Sequence, residues 1–395
     1  MTKRDVLKRI EEEFEELLQK AEAGDAEAQC DLGYLYSKRK DYEKTFYWYQ
    51  KAAEQGNAVG EYNLAICYKN GESAEQNLVE AEKWYLRAAE QGLSEAQNEL
   101  AYLYSDEIEK PDYDKAFYWY SRAVEQGNVS AKYNLSQCYE YGYGTRRNRK
   151  KANALLLEAA EDGDYLAQYY VGYYYQKGRY DFPVDLKRAF QWYRKSAMQG
   201  DKDAQFHVAY AYDMGEGTAQ NHEKAVYWYR RAAKNGDADA MYNLALCYEN
   251  GEGVEADGQK AFEWYKRAAE EGDADAQYAL GACYEYGAGV EADQKSAVYW
   301  YKAATKQGYL VAIDALGLCY IEGAGVRRNY NKAFKLFQKA AEKSHAHAMF
   351  NLGCCYENGE GVPIDFEEAR RWYQKSAELG DEDAKDALEQ LTDKK

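Results

Sequence analysis

Residues 236–271 read GDADAMYNLALCYENGEGVEADGQKAFEWYKRAAEE. The first half carries Ala238, Ala240, Tyr242, Leu244, Ala245 and Tyr248, apolar residues at helical spacing. Gly251-Glu252-Gly253 then breaks the chain into a turn. Lys260-Ala261-Phe262-Glu263-Trp264-Tyr265-Lys266-Arg267-Ala268-Ala269 resumes the helical period. Gly272 can adopt the left-handed conformation that ends a helix, and Asp273 is placed to cap the next one. The stretch is therefore a pair of helices with its own stop and start chemistry.

The same unit recurs along the 395 residues. Its anchor glycines are Gly24, Gly56, Gly92, Gly127, Gly163, Gly200, Gly236, Gly272 and Gly308; Ser344 stands at the next place and Gly380 closes the series. Most are 36 residues apart, with a first interval of 32. A helical period of that size predicts a stack of helix pairs that bury a shared core only together. The expected organisation is an all-α, superhelical α/α solenoid of ten tandem two-helix repeats over 24–379, with starts near 24, 56, 92, 127, 163, 200, 236, 272, 308 and 344. Residues 1–23 form a capping second helix through Phe14, Leu17, Leu18 and Ala21, and 380–395 a capping first helix and tail. All eight Trp fall eight residues before an anchor and each is followed by Tyr, which points to Trp as the wedge between layers. On that reading Trp228→Ala costs roughly 3–5 kcal/mol. Leu155 and Leu336 replace Trp in the fourth and ninth repeats.

This pattern resembles the Sel-one-like repeat family. The resemblance is carried by Ala274, Ala276, Gln277, Tyr278, Leu280, Gly281 and Tyr284, by the turn Gly287, Gly289 and Val290, and by Ala297, Trp300, Tyr301 and Ala304. It covers nearly the whole chain. It implies a right-handed superhelix of helical hairpins with a concave groove, and, as with tetratricopeptide-like adaptors, a protein or peptide partner.

The composition excludes several other classes. A formal charge of −17 repels phosphate backbones and anionic membranes, so nucleic acid is disfavoured as the main partner. The charged N-terminal stretch has no apolar signal region, and no stretch is long and apolar enough for a membrane span, so the expected location is cytoplasmic. Six of the eight Cys (Cys67, Cys138, Cys247, Cys283, Cys319 and Cys355) share one repeat position, where neighbours lie one helix-packing distance apart, beyond disulfide reach. His345 and His347 are two apart and do not share a helix face, so no metal or other cofactor is expected. Turns such as Gly215-Glu216-Gly217 follow a helix and carry Glu where a phosphate would sit. No nucleophile–base set or paired carboxylates stand apart from the repeat, so the chain is expected not to be an enzyme.

What remains is a binding surface. Counting each anchor as position 1, positions 5, 6, 9, 10 and 13 of the first helix face the core, whereas 4, 8, 11 and 15 share the opposite face and vary between repeats. First helices commonly line the concave side of a helical solenoid, which makes this face the expected groove. Its partner-binding candidates are Tyr102, Asn134, Gln137, Tyr170, Tyr173, His207, Tyr210 and Asn243. Tyr supplies rigid area with a polar tip, and Asn can pair with an extended backbone. Arg146, Arg147, Arg149 and Lys150 make a dense basic loop, a candidate docking patch for an acidic segment. The function expected is a non-catalytic adaptor that captures a peptide or protein in its groove. The alternatives are an architectural subunit assembling by its convex face or ends, and a small-ligand or glycan binder using the tyrosines.

Overall fold

The computed structural model describes residues 3–71 and 75–391, those before residue 12 by their backbone alone. Among the described residues it has 22 α-helices, one π-helical turn and no strand. The chain divides into two compact units, Met1–Asp185 and Leu186–Lys395.

The first unit begins with a single helix, Lys3–Glu22. Hairpins follow at Ala26–Lys38 with Tyr42–Glu54, Ala58–Asn70 with Leu78–Glu90, Ser94–Tyr102 with Tyr113–Glu125, and Val129–Tyr141 with Arg149–Glu161; Tyr165–Lys177 ends the unit. The second unit opens with Leu186–Met198. It continues with five hairpins, Lys202–Met214 with His222–Lys234, Ala238–Asn250 with Gly258–Glu270, Ala274–Tyr286 with Gln294–Lys306, Leu310–Glu322 with Tyr330–Ala341, and Ala346–Asn358 with Phe366–Glu378, and closes with Glu382–Leu391. Phe14, Leu17, Leu18 and Ala21 of the opening helix pack with Ala28, Leu32 and Trp48. Leu391 packs with Ala369 and Tyr373 at the other end. The expected tail from 392 onward lies outside the described residues.

The boundary chemistry is as the repeat pattern requires. Asp237 and Asp273 cap the helices that follow them by accepting the amides of Ala240 and Ala276 at 2.7 and 2.6 Å. Where Ser344 replaces the anchor glycine it still takes a left-handed conformation, φ +63°, because the junction sets the turn and the residue must follow it.

The wedge between layers differs from the expectation. The residue driven deepest is the Tyr after each Trp: Tyr85 and Tyr229 are wholly buried, and Tyr265, Tyr301 and Tyr373 nearly so. Trp48 and Trp228 are buried too, but the other six Trp are half-buried. Two consecutive residues are 100° apart on a helix and cannot both point at the layer beneath. The Trp therefore lies at the rim, where a basic side chain three residues on covers several of the rings. Arg87 lies 4.6 Å from the centre of Trp84, Lys195 3.7 Å from Trp192, Arg267 4.5 Å from Trp264 and Lys375 4.1 Å from Trp372. Four of the buried Tyr keep the hydroxyl satisfied at the end of the preceding helix: Tyr229 donates to Asp213 at 3.3 Å and Tyr373 to Glu357 at 2.7 Å, and Tyr265 and Tyr301 donate to Glu249 and Glu285, whereas the Tyr85 hydroxyl is buried with no partner among the described residues. Leu156 and Phe337 take the Tyr place in the repeats that lack Trp-Tyr.

A polar ladder joins successive hairpins. Buried Gln97, Gln168, Gln205 and Gln277 each donate to the carbonyl eight residues earlier, at Ala89, Ala160, Ala197 and Ala269. Three of them accept from the next hairpin's end, Gln97 from Gln126, Gln205 from Asn235 and Gln277 from Gln307. A lone buried amide would cost stability; here both its ends are engaged.

Candidate functional site

In the hairpin starting at Gly236, Ala240, Met241, Leu244, Ala245 and Tyr248 are buried, so the core face of the first helix lies where its pattern puts it. Asn243, on the opposite face, is half-buried and spends its amide on the Asp239 carbonyl of its own helix at 2.8 Å. In the same unit His207 is stacked on Tyr193, 4.4 Å between centres and 10° between planes. Tyr210 is half-buried, tilted against Phe206 at 6.3 Å.

The first unit brings its candidates closer together. Tyr102, Asn134 and Gln137 line a cavity of about 290 Å³. Tyr170 stacks on Tyr133, which also lines it, at 5.7 Å. Asn134 donates to the buried Asn98 of the preceding hairpin at 3.0 Å. Tyr173 lies outside the lining, beneath the Arg179 guanidinium at 5.4 Å. Arg146, Arg147, Arg149 and Lys150 are exposed, with Arg149 over Tyr180 at 5.7 Å.

Two local departures from the repeat build this cavity. The third repeat has no Gly-x-Gly turn; its first helix instead widens into a π-helical turn, Leu103–Glu107, that carries Ser105 and Asp106 to the rim. In the fourth repeat the turn residue between glycines is Tyr143, where other repeats have Glu216, Glu252, Ala288, Ala324 or Glu360. Gly144 lies so close to the preceding hairpin that a Cβ would stand 2.0 Å from the Tyr113 carbonyl oxygen. That approach presses the loop onto the start of Tyr113–Glu125 and stacks Tyr143 on Tyr113, 4.4 Å between centres and 11° between planes. Tyr141 stacks on Tyr143 at 5.5 Å. Along the lining, Ser105 Oγ and the Tyr120 hydroxyl are 3.3 Å apart, and Ser105 donates to Asp106 at 2.9 Å. Burial raises the pKa of the Tyr133 phenol and pushes the Cys138 thiol up to about 12, so both are neutral donors near pH 7. Asp106, Tyr113 and Tyr143 are not among the candidates that helical spacing picks out; the signal for Tyr143 is a Tyr between turn glycines where other repeats hold Glu or Ala.

Among the described residues one trio of potential metal ligands converges, Asp213, His222 and Glu252, with ligand atoms within 4.8 Å of one another. Asp213 is shared by His222 at 2.8 Å and Tyr229 at 3.3 Å, so its oxygens already serve the repeat's own packing. Of the histidines considered from sequence, His347 bonds Asp314 at 2.6 Å and His345 caps the helix Ala346–Asn358. No described helix is long and apolar enough to cross a membrane.

The model of the Sel1 repeat matches ten times in register, at 26–57, 58–93, 94–128, 129–164, 166–201, 202–237, 238–273, 274–309, 311–345 and 346–381. The chain belongs to the Sel1 repeat family. Its architecture is that of a Sel1-repeat solenoid, and repeats of this family generally serve as non-catalytic scaffolds for protein–protein interaction. A protective antigen of uropathogenic Escherichia coli strains, which displays this repeat fold, is 31% identical over 97% of this chain and 91% of that one, with a TM-score of 0.53. A Sel1 repeat protein from Oxalobacter formigenes is 31% identical over 78% and 90%, with a TM-score of 0.57. The rat DAP3-binding cell death enhancer 1 is 38% identical over 69 residues, 17% of this chain and 14% of that protein. The chain thus matches about one seventh of that relative's length.

Proposed function

We propose that this protein is a cytoplasmic adaptor that holds a partner polypeptide on the exposed face of its first helices. The observation that carries the reading is the cavity of the third and fourth repeats. There Tyr102, Tyr113, Tyr141 and Tyr143, between 36 and 52% exposed, surround polar groups supplied by Ser105, Asn134 and Gln137. Rings left at the surface around donors and acceptors suit a peptide that buries the rings and meets the polar groups. The rat relative is named for binding a protein, DAP3, which accords with a protein partner here. In the second unit His207, Tyr210 and Asn243 are the corresponding candidates on their own first helices, and in the first unit Arg146, Arg147, Arg149 and Lys150 offer a second docking patch for an acidic segment. The cytoplasmic location accords with buried thiols at Cys247, Cys319 and Cys355, each pushed up to about 12 by burial, which suit a reducing compartment.

The test is site-directed photo-crosslinking in the cells the protein comes from. A benzophenone amino acid replaces Tyr102 or His207 on the first-helix face, or Tyr118, which is 54% exposed on a second helix. One protein cross-linked from Tyr102 and His207 but not from Tyr118 supports the adaptor reading. Cross-links from Tyr118 alone transfer the function to the other face. Tyr102→Ala, at an exposed ring, is expected to weaken capture of that partner with little change in melting temperature, whereas Ala at the half-buried Asn134, Tyr173 and Tyr210 together weakens capture and also lowers stability.

A further inference from the structure

We propose that the tyrosine cavity of the third and fourth repeats receives a cationic side chain, Lys or Arg, from the partner polypeptide. This inference rests on the adaptor reading and adds the chemistry of what is recognised.

Elsewhere the chain lays its own cations on its tyrosines in a regular way. The third residue of a second helix reaches back over a tyrosine near the end of the first: Lys44 over Tyr36 at 4.9 Å, Lys115 over Tyr104 at 4.7 Å, Lys151 over Tyr139 at 5.1 Å, Lys224 over Tyr212 at 5.2 Å, Lys260 over Tyr248 at 5.5 Å and Lys332 over Tyr320 at 5.2 Å. A tyrosine face in this protein is, in that setting, a place for a positive charge. Tyr102 fits the same habit, with Lys69 at 5.1 Å. The stack of Tyr113, Tyr143 and Tyr141 departs from it. Three rings meet within 5.5 Å of their neighbours, and among the described residues no Lys or Arg lines the cavity beside them.

The carboxylate in the cavity lining points the same way. Asp106 is lifted to the rim by the π-helical turn, and its charge is felt at both Tyr120 and Cys138, which also line the cavity. It accepts a hydrogen bond from the neutral Ser105 hydroxyl. The acidic residues next to it in sequence and space are spoken for: Lys69 bridges Glu99 at 3.1 Å and Glu107 at 3.2 Å. An aromatic stack beside a carboxylate, in a cavity that no Lys or Arg lines among the described residues, selects a cation over a neutral or anionic group. The volume of about 290 Å³ lies at the lower bound for a drug-sized ligand and suits one long side chain, which favours a peptide anchor over a glycan. Arg146 and Arg147 follow Tyr143 on the same loop but do not line the cavity; exposed as they are, salt screens their field over about 8 Å at 0.15 M.

The test uses the purified full chain and three probes, N-acetyl-arginine amide, N-acetyl-lysine amide and the uncharged N-acetyl-norleucine amide, titrated by saturation-transfer NMR. One or both cationic probes should bind saturably, and norleucine at least fivefold more weakly. Asp106→Asn and Tyr143→Ala should each weaken the cation by on the order of tenfold, while Tyr227→Ala, an exposed tyrosine of the second unit, leaves it unchanged. Asp106 is exposed, so its variant keeps the fold and serves as the check should Tyr143→Ala disturb the loop. Comparing the arginine and lysine arms tells which side chain is preferred. Equal binding of norleucine, indifference to Asp106→Asn, or no saturable binding of either cation overturns the inference. If cross-links from Tyr102 and His207 persist in that case, the adaptor reading stands and only the cationic anchor falls.

Discussion

The Trp-Tyr pair of each second helix gives a direct measure of what holds one layer on the next. In the hairpin Ala238–Asn250 with Gly258–Glu270, Tyr265 is 2% exposed and Trp264 is half-buried beneath Arg267. Tyr265→Ala removes a ring from a closed layer and leaves a cavity that the helices cannot fill, which costs about 3–5 kcal/mol. Trp264→Ala removes a larger ring, but one that is partly wet in the folded state. If about half of a ~200 Å² side chain is withdrawn from water, the transfer loss is about 2.5 kcal/mol at ~25 cal/mol/Å², with a smaller cavity behind it. Tyr265→Phe keeps the packing and loses only the bond to Glu249, whose carboxylate is exposed and rehydrates, so about 0.5–1.5 kcal/mol is expected. The order is therefore Tyr265→Ala, then Trp264→Ala, then Tyr265→Phe. Urea unfolding followed by far-ultraviolet circular dichroism measures it as shifts of the midpoint at constant slope. A Trp264→Ala variant as unstable as Tyr265→Ala would refute the assignment of Tyr as the wedge.

Other outcomes follow from particular contacts. Gln277→Ala severs the donor to Ala269 and the acceptor for Gln307 and should lower stability by about 1–2 kcal/mol in the same assay, more than Gln294→Ala at a helix start. Gly144→Ala places a methyl 2.0 Å from the Tyr113 carbonyl at φ +61°, so the loop must move; the melting temperature should fall and the Tyr113–Tyr143 stack should open, read by loss of cationic-probe binding. His347 has its pKa raised above 6.5, first by its hydrogen bond to Asp314 and then, against some desolvation, by the charges of Asp314, Asp381 and Asp383; Asn351 also faces it. A raised pKa means the folded state favours the proton. The stabilisation is present in full well below pH 6.5 and is lost as pH climbs through the raised value, so the stability gap between wild type and His347→Gln should shrink as pH rises above 6.5. A gap that stays constant or widens with pH contradicts the pairing. Cys138, Cys247 and Cys319, pushed up to about 12, should react with a thiol reagent at about pH 8 only when urea opens the fold.

Much of the architecture is legible because each boundary repeats its own chemistry. An anchor glycine, an Asp or Asn cap and apolar residues at helical spacing recur often enough to fix helices, turns and the core face of the first helix. The Trp misleads for a physical reason. Composition marks it as the largest ring, but side-chain direction at one of two adjacent helical positions depends on how one hairpin sits on the next. The covering arginine or lysine three residues on is visible in the sequence, at Arg87, Arg267 and Lys375, but its meaning emerges only from the packing. The glutamine ladder escapes notice for a similar reason: its partners are a backbone carbonyl and a side chain about 30 residues away.

The candidate cavity shows why one-helix periodicity finds only part of a surface. Tyr102, Asn134 and Gln137 are found because they lie on one face of successive first helices. Asp106 and Tyr143 cannot be found that way. One depends on a π-helical turn that shifts the helix by a residue, and the other on a loop pressed against a neighbouring helix start by Gly144. The first, second and fifth repeats depart from the Gly-x-Gly turn as well, but these two departures fall in adjacent repeats around the same space. Here the exchanged residues leave aromatic rings exposed beside a carboxylate, an arrangement that costs hydration without adding to the core. A ligand that covers the rings would remove that cost, which makes the cavity of the third and fourth repeats the first place to test for the proposed partner.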